Sequence, residues 1–296
     1  MKRLLLVLLL IAPATAAYAW GEAGHYIAND AATRGLPNDM PHFFYRAYPE
    51  LIWLGYDPDR WKRGGESIDG ASSPDHFLDY EFVAGLDLPR DRNEFLALLE
   101  SSGRLRRHGI TNSESGFVIW RIAELSEVLT TQFRLWRSSA PGSSERVFFE
   151  RSIINTAGNL GHYVSDSANP HHATMNHDGW AMANPNGYAT DCETHARFES
   201  VFVAHSVETG DVVPKLAAPK LRTDYFATAL DFIRESNALV EKQYEIDRRG
   251  GFDIFRSPVS REGFEFATDR LAAGASMLRD LWWSAWRNSE KPRRRN

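Results

Sequence analysis

Gly161-His162-Tyr163-Val164-Ser165-Asp166-Ser167-Ala168-Asn169-Pro170-His171-His172, followed later by His195-Ala196-Arg197-Phe198-Glu199, decides how this chain reads. His162 and Asp166 stand four apart, as do His195 and Glu199, and on a helix that spacing puts both side chains of each pair on one face. Imidazole nitrogen and carboxylate oxygen are the ligands, besides thiolate, that Zn²⁺ accepts at about 2.0–2.2 Å. Two such pairs in one chain, with His172 just after the helix-stopping Pro170, point to a polynuclear metal centre.

Working outward, Ser143-Ser144-Glu145 opens a helix that runs to about Ala168. Phe148/Phe149, Ile153/Ile154, Ala157, Leu160 and Val164 form its apolar stripe, and Asn155, Asn159, His162 and Asp166 a polar one. Apolar residues over much of its circumference imply burial, and buried polar groups need partners, which metal ligands with supporting Asn residues would have. Further helices are expected over Glu114 to Arg137, Thr223 to Arg248 and Arg261 to about Asn288, while Lys62 to Asp75, Ala173 to Asp191 and Glu208 to Arg222 read as loops. No convincing strand pattern, linker or internal repeat interrupts this series, so the fold expected is all-α, a single-domain helical bundle. Trp180 and Tyr188, in the loop joining His172 to His195, are placed either to contact substrate or to pin that loop to the body.

The amino terminus reads as a secretory signal: Lys2 and Arg3, the apolar run Leu4 to Ile11, then Ala17-Tyr18-Ala19 as a small-residue cleavage site. The division expected is therefore 1–19 signal peptide and 20–296 mature domain, secreted or periplasmic, with no transmembrane anchor after cleavage following Ala19. Cleavage leaves Trp20 with a free α-amino group, which titrates near neutrality and can serve as a neutral nitrogen ligand. The chain has 34 basic and 39 acidic side chains, a formal charge of −5, which argues against diffuse electrostatic attraction to nucleic acid. With Cys192 as the one cysteine there is no internal disulfide. The short basic tail Lys291 to Arg295 reads as a solvated end behind Leu281-Trp282-Trp283-Ser284-Ala285-Trp286.

Trp20-Gly21-Glu22-Ala23-Gly24-His25, Asp59, His76, His162/Asp166/His172 and His195/Glu199 resemble, in order and spacing, the superfamily of zinc-dependent phospholipases C and single-strand nucleases (3′-nucleotidase/nucleases). The resemblance implies an almost wholly helical fold around a trinuclear zinc cluster. It would place Asp59, His76, His162 and Asp166 on one ion, His172, His195 and Glu199 on a second, and Trp20, His25 and a bridging Asp166 on the third. Asp57 stays an alternative to Asp59, because Tyr56-Asp57-Pro58-Asp59-Arg60 offers both. Glu199 matches the phospholipase branch, whereas the WGxxGH opening is closer to the nuclease branch. His42, His108, His171, His177 and His205 have no carboxylate in the expected register and are assigned ordinary core or surface roles; a Cys192–His195 ligand pair is disfavoured.

The activity implied is phosphodiester hydrolysis by a zinc-activated hydroxide, with Asp59 both ligand and assistant to the nucleophile and Arg60 a possible phosphate contact. A phospholipid is the leading substrate. Single-stranded nucleic acid or a 3′-nucleotide, its bases stacked on loop aromatics, is the alternative. A non-catalytic zinc-stabilised binding module fits less well, since closed structural sites are usually Cys-rich. No stable protein partner is implied.

If the amine of Trp20 is a ligand, a chain retaining Ala19 carries an amide there instead and should bind less metal and be nearly inactive at equal zinc. Protein starting at Trp20 and protein with one extra residue, compared for zinc content and hydrolysis, check this; equal values remove Trp20 from the ligand set.

Overall fold

The computed structural model describes residues 20–111 and 113–290. The expected signal peptide and basic tail lie outside the described residues, as does the side chain of His108.

The polar Ser143 side chain accepts from Arg146 N and caps the central helix, Ser144–Ala168. That helix is buried almost continuously from Ile153 onward. Around it pack helices Glu22–Arg34, Tyr48–Leu54, Val118–Ser138 and the long C-terminal Arg261–Asn288. Ser260 caps the last of these and Asp224 caps Tyr225–Asn237. The architecture is all-α, one helical domain, with a single isolated bridge between Leu78 and Gly116 and no strand among the described residues. The core is contiguous, with Trp20, Trp120, Trp282, Phe44 and Phe133 fully buried. No described helix is long and apolar enough to cross a membrane.

Three expectations need correction. The helix expected over Thr223 to Arg248 is two, Tyr225–Asn237 and Val240–Arg248. At the break the Asn237 carboxamide donates to Glu81 Oε1 and Ala173 O, tying the chain to neighbouring segments. The segments read as loops over Lys62 to Asp75 and Glu208 to Arg222 contain short helices, Glu66–Ser72 and Thr209–Val212, with 3₁₀ turns beside them. Units of four to seven residues are too short to show helical periodicity and are held by tertiary contacts. The third loop, Ala173 to Asp191, is irregular beyond its opening 3₁₀ turn.

Close approach at small residues sets where the central helix sits. A Cβ on Gly161 would overlap the carboxamide of the fully buried Asn29, and one on Gly158 would overlap the side chain of Leu54. Asn29 Nδ2 donates to Leu51 O, so one side chain joins the first helix to the helix Tyr48–Leu54 while the central helix presses against it. Gly161→Ala should therefore cost about 1–3 kcal/mol through overpacking. Gly70→Ala, with nothing within 4 Å of the added carbon, should be neutral or slightly stabilising. Thermal unfolding of the two variants checks this, and equal melting temperatures would contradict it.

Candidate metal centre

The central helix carries His162 and Asp166 inward on one face, as their spacing demands, and both are fully buried. His25 from the first helix, Asp59 from the short Asp57–Trp61 helix and His76 from a 3₁₀ turn meet them. His25 Nε2 stands 3.5 Å from Asp166 Oδ1 and 4.0 Å from Asp59 Oδ2, and His76 Nδ1 stands 3.1 Å from Asp166 Oδ2. His162 Nε2 lies 3.2 Å from Asp166 Oδ2 and 3.7 Å from Asp59 Oδ1. A second group forms beside it: His195 Nε2 is 2.7 Å from Glu199 Oε2, and His172 Nε2 is 3.1 Å from His195 Nε2 and 3.5 Å from Glu199 Oε2. In all, three buried sets could each hold a metal ion: His25, His162 and Asp166; Asp59, His76 and His162; and His172, His195 and Glu199.

The hydrogen bonds behind the ligands fix which nitrogens are free. Ser165 Oγ donates its one hydrogen to His162 O, so it accepts from His25 Nδ1 at 2.7 Å, and neutral His25 keeps a lone pair on Nε2. Gly55 O accepts from His162 Nδ1 and His76 O accepts from His172 Nδ1, each at 2.9 Å, leaving Nε2 of both rings as the acceptor. His25 Nε2 faces carboxylate oxygens in the buried interior, while His162 Nε2 also meets His76 Nδ1 at 2.9 Å and His172 Nε2 meets His195 Nε2 at 3.1 Å. Acceptor set against acceptor is repulsive unless a cation lies between, and His25 Nε2, Asp59 Oδ2, Asp166 Oδ1 and Glu199 Oε1 have no hydrogen-bond partner at all. The residues present fit metal ions, and the backing of ring nitrogens by carbonyl or hydroxyl groups is the arrangement typical of metal-bound histidines. The supporting role expected of Asn155 and Asn159 is not seen: they bond to each other, with Asn155 exposed. Asn169 supports instead, donating from Nδ2 to Glu199 Oε2.

In the absence of a cation the charges settle differently from group to group. Burial opposes charge on His162, but Asp166 and Asp59 outweigh it and raise its pKa, so this spot attracts positive charge. Burial likewise works against charge on Asp59, yet His162 and Lys62 hold its pKa below the usual range. Burial pushes Glu199 up to about 8, against the influence of His172.

Of the two aspartates near Arg60, Asp59 is in the cluster; Asp57 pairs with Arg60 at 3.1 Å near the surface. Arg60 itself stacks on Trp53 at 3.8 Å and donates to Tyr26 Oη and Trp53 O. Trp20 is fully buried, its indole Nε1 donating to Ser165 O at 2.5 Å and its ring against Phe198. His195 and Glu199 sit on a turn of α-helix that passes into a π-helical segment, Arg197–Phe202. Arg197 and Thr194 anchor that turn to Asp247.

The two clusters of candidate ligands open onto a cavity of about 240 Å³ whose wall includes Lys62, His76, Phe77, His172, Asp178 and His195. Arg60, Trp180 and Tyr188 are not among its lining residues. Trp180 and Tyr188 pack on Tyr244, at ring distances of 5.2 and 5.5 Å, and pin the loop to the body. Sequence reasoning missed Lys62, whose Nζ lies 2.9 Å from Asp59 Oδ1, and also His177 and Asp178 on the same wall. The one available signal for Lys62 was its position three residues after Asp59, one helical turn on. Cys192 is exposed and belongs to none of the three sets.

No protein-family model matches this chain, and no curated protein does. Among solved structures it is similar to an alpha toxin from Clostridium absonum, with 11% identity over 94% of this chain and 67% of that one and a TM-score of 0.44. It is also similar to Clostridium perfringens alpha-toxin isolated from avian strain SWCP, with 13% identity over 92% of this chain and 64% of that one and a TM-score of 0.42. At these scores neither likeness decides the fold or the chemistry of this chain.

Burial holds His25, His76 and His195 at about 3, 4 and 4, against 6.5 for a free imidazole. On acidification the unfolded chain takes up these protons first, so the stability the three supply is full above about pH 6.5 and lost as pH falls toward 4. Glu199, raised to about 8, works oppositely over part of this window, but one carboxyl offsets only one imidazole. The melting temperature of metal-free protein should therefore fall between pH 6.5 and 4.5, and a flat or rising profile would contradict the neutral assignment of these rings.

Proposed function

We infer that this protein is a zinc-dependent hydrolase of phosphodiester bonds, acting on phospholipid in the manner of a phospholipase C after export and removal of residues 1–19. The observation that supports it most is the convergence of buried imidazole nitrogens on unpartnered carboxylate oxygens beside one cavity. A carboxylate- and imidazole-rich set without thiolate suits hydrolytic centres that leave coordination open, and disfavours a closed structural site. Bound zinc would supply Lewis acidity, activating water and neutralising charge on phosphoryl oxygens. About three ions is the number that the resemblance to zinc-dependent phospholipases C and nucleases implies.

The chain's own groups then have separable roles. Trp20, His25, Asp59, His76, His162, Asp166, His172, His195 and Glu199 would hold the ions. Asp59, held by Lys62, would steer the attacking water, and the Lys62 ammonium gives the cavity wall a positive charge for a phosphate oxygen. Phe77 gives the same wall an apolar surface. Glu199 favours the phospholipid reading by resemblance. The nuclease and 3′-nucleotidase reading rests on the Trp20-Gly21-Glu22-Ala23-Gly24-His25 opening; Trp180 and Tyr188 pack on Tyr244, which leaves Phe77 as the aromatic on the cavity wall against which a base could stack.

The deciding experiment compares phosphatidylcholine, single-stranded DNA and 3′-AMP as substrates of protein beginning at Trp20, with zinc and after chelation. Zinc-dependent release of phosphocholine, exceeding hydrolysis of the other two, is expected. Faster cleavage of DNA or 3′-AMP would move the assignment to the nuclease reading, and no hydrolysis of any of the three would reject it.

A further inference from the structure

His171 lies on the wall of the same cavity but belongs to none of the three metal-binding sets. Its side chain is buried, with 1% exposure, and is packed among His195, Phe198 and Tyr244. The 3₁₀ turn Pro170–Ala173 orients it: Asn169 Oδ1 accepts from His171 N while Asn169 Nδ2 holds Glu199. One more contact defines its chemistry. Gln243 Nε2, on the helix Val240–Arg248 and itself fully buried, lies 3.2 Å from His171 Nδ1. An amide nitrogen can only donate, so Nδ1 accepts and the proton of the neutral ring sits on Nε2. That Nε2 is buried with no partner.

A nitrogen carrying its proton cannot ligate a metal, and a buried N–H without an acceptor is costly, by about 1–3 kcal/mol. The neighbouring His172 is turned the opposite way, its Nδ1 donating to His76 O and its Nε2 free for an ion. Adjacent histidines are thus held in opposite tautomers, one as acceptor and one as donor. The same wall carries the Lys62 ammonium as a charged donor and the Asp178 carboxylate as its one acid. The His171 N–H and Lys62 together suit a group that presents acceptor oxygens, and a phosphoryl group is that chemistry.

We propose that His171 is a substrate-binding residue, its Nε2–H donating a hydrogen bond to a non-bridging phosphoryl oxygen of substrate seated in the cavity, with Gln243 fixing the tautomer that makes this possible. The inference rests on the phosphodiesterase reading and adds a residue to it. Nuclear magnetic resonance of ¹⁵N-labelled histidine in wild-type protein reads the tautomer directly: a proton on Nε2 of His171 is expected, and a proton on Nδ1 would overturn the proposal. Calorimetric titration of zinc-loaded protein with inorganic phosphate then tests the contact. His171→Phe, which keeps a ring, should bind phosphate about ten- to hundredfold more weakly, the loss expected for a hydrogen bond to a charged group. Its zinc content should match wild type. Gln243→Glu, whose carboxylate would draw the proton to Nδ1, should weaken phosphate in the same direction at unchanged zinc. Unchanged phosphate affinity in His171→Phe, or the loss of an ion from it, would each overturn the proposal. Wild-type protein that hydrolyses a phosphodiester while His171→Phe equals it in phosphate affinity defeats this inference alone; zinc-loaded wild type that neither binds phosphate nor hydrolyses any of the three substrates defeats the parent reading as well.

Discussion

The structure depends on one costly arrangement, the Asp166 carboxylate buried without solvent between three imidazoles. His25, His76 and His162 approach it at 3.5, 3.1 and 3.2 Å, and its Oδ1 has no hydrogen bond. An isolated buried carboxylate is expensive enough that a fold keeps one only where positive charge compensates it. Two of the three imidazoles have their protons directed away, to Ser165 and Gly55, so they cannot supply that charge while neutral. The helices around this point converge because each brings one element of the arrangement, and glycines at 158 and 161 let them come close enough.

The same constraint explains the arrangement farther out. The carbonyl of Ala168 at the end of the central helix receives the buried Arg270 Nε, while Ser236 Oγ donates to Ser167 O, so the helix end behind Asp166 is tied to two other helices. Asn169 links that end to Glu199, and His172 reaches back to the carbonyl of His76. The two candidate ion-holding groups are therefore joined by short hydrogen-bonded paths through residues 169–172. The cavity lies where both groups and Lys62 share a wall.

Much of this could be read from the residues, and the parts that could not fail for identifiable reasons. The long helices over 144–168 and 261–288 follow from apolar periodicity and polar capping residues, and the structure agrees to within a residue. His162 and Asp166 share a face because a regular helix dictates it. His195 and Glu199 keep their contact although the chain passes into a π-helical segment there, which has no sequence signature. Lys62 escaped notice because its segment, rich in Gly and Ser, forms helices too short to announce themselves. Trp180 and Tyr188 drew attention as aromatics beside the site, but what holds them is Tyr244, on a helix distant in sequence. His171 was indistinguishable from a core histidine until Gln243 appeared beside it. In each case the missing information was tertiary.

The buried acceptor groups of this fold call for cations between them. Elemental analysis of purified protein beginning at Trp20, joined with anomalous diffraction at the zinc edge, measures this most directly. About three zinc ions per chain are expected, each within ligand distance of the His, Asp and Glu side chains grouped here. One ion or none, or zinc located away from Asp166, would contradict it.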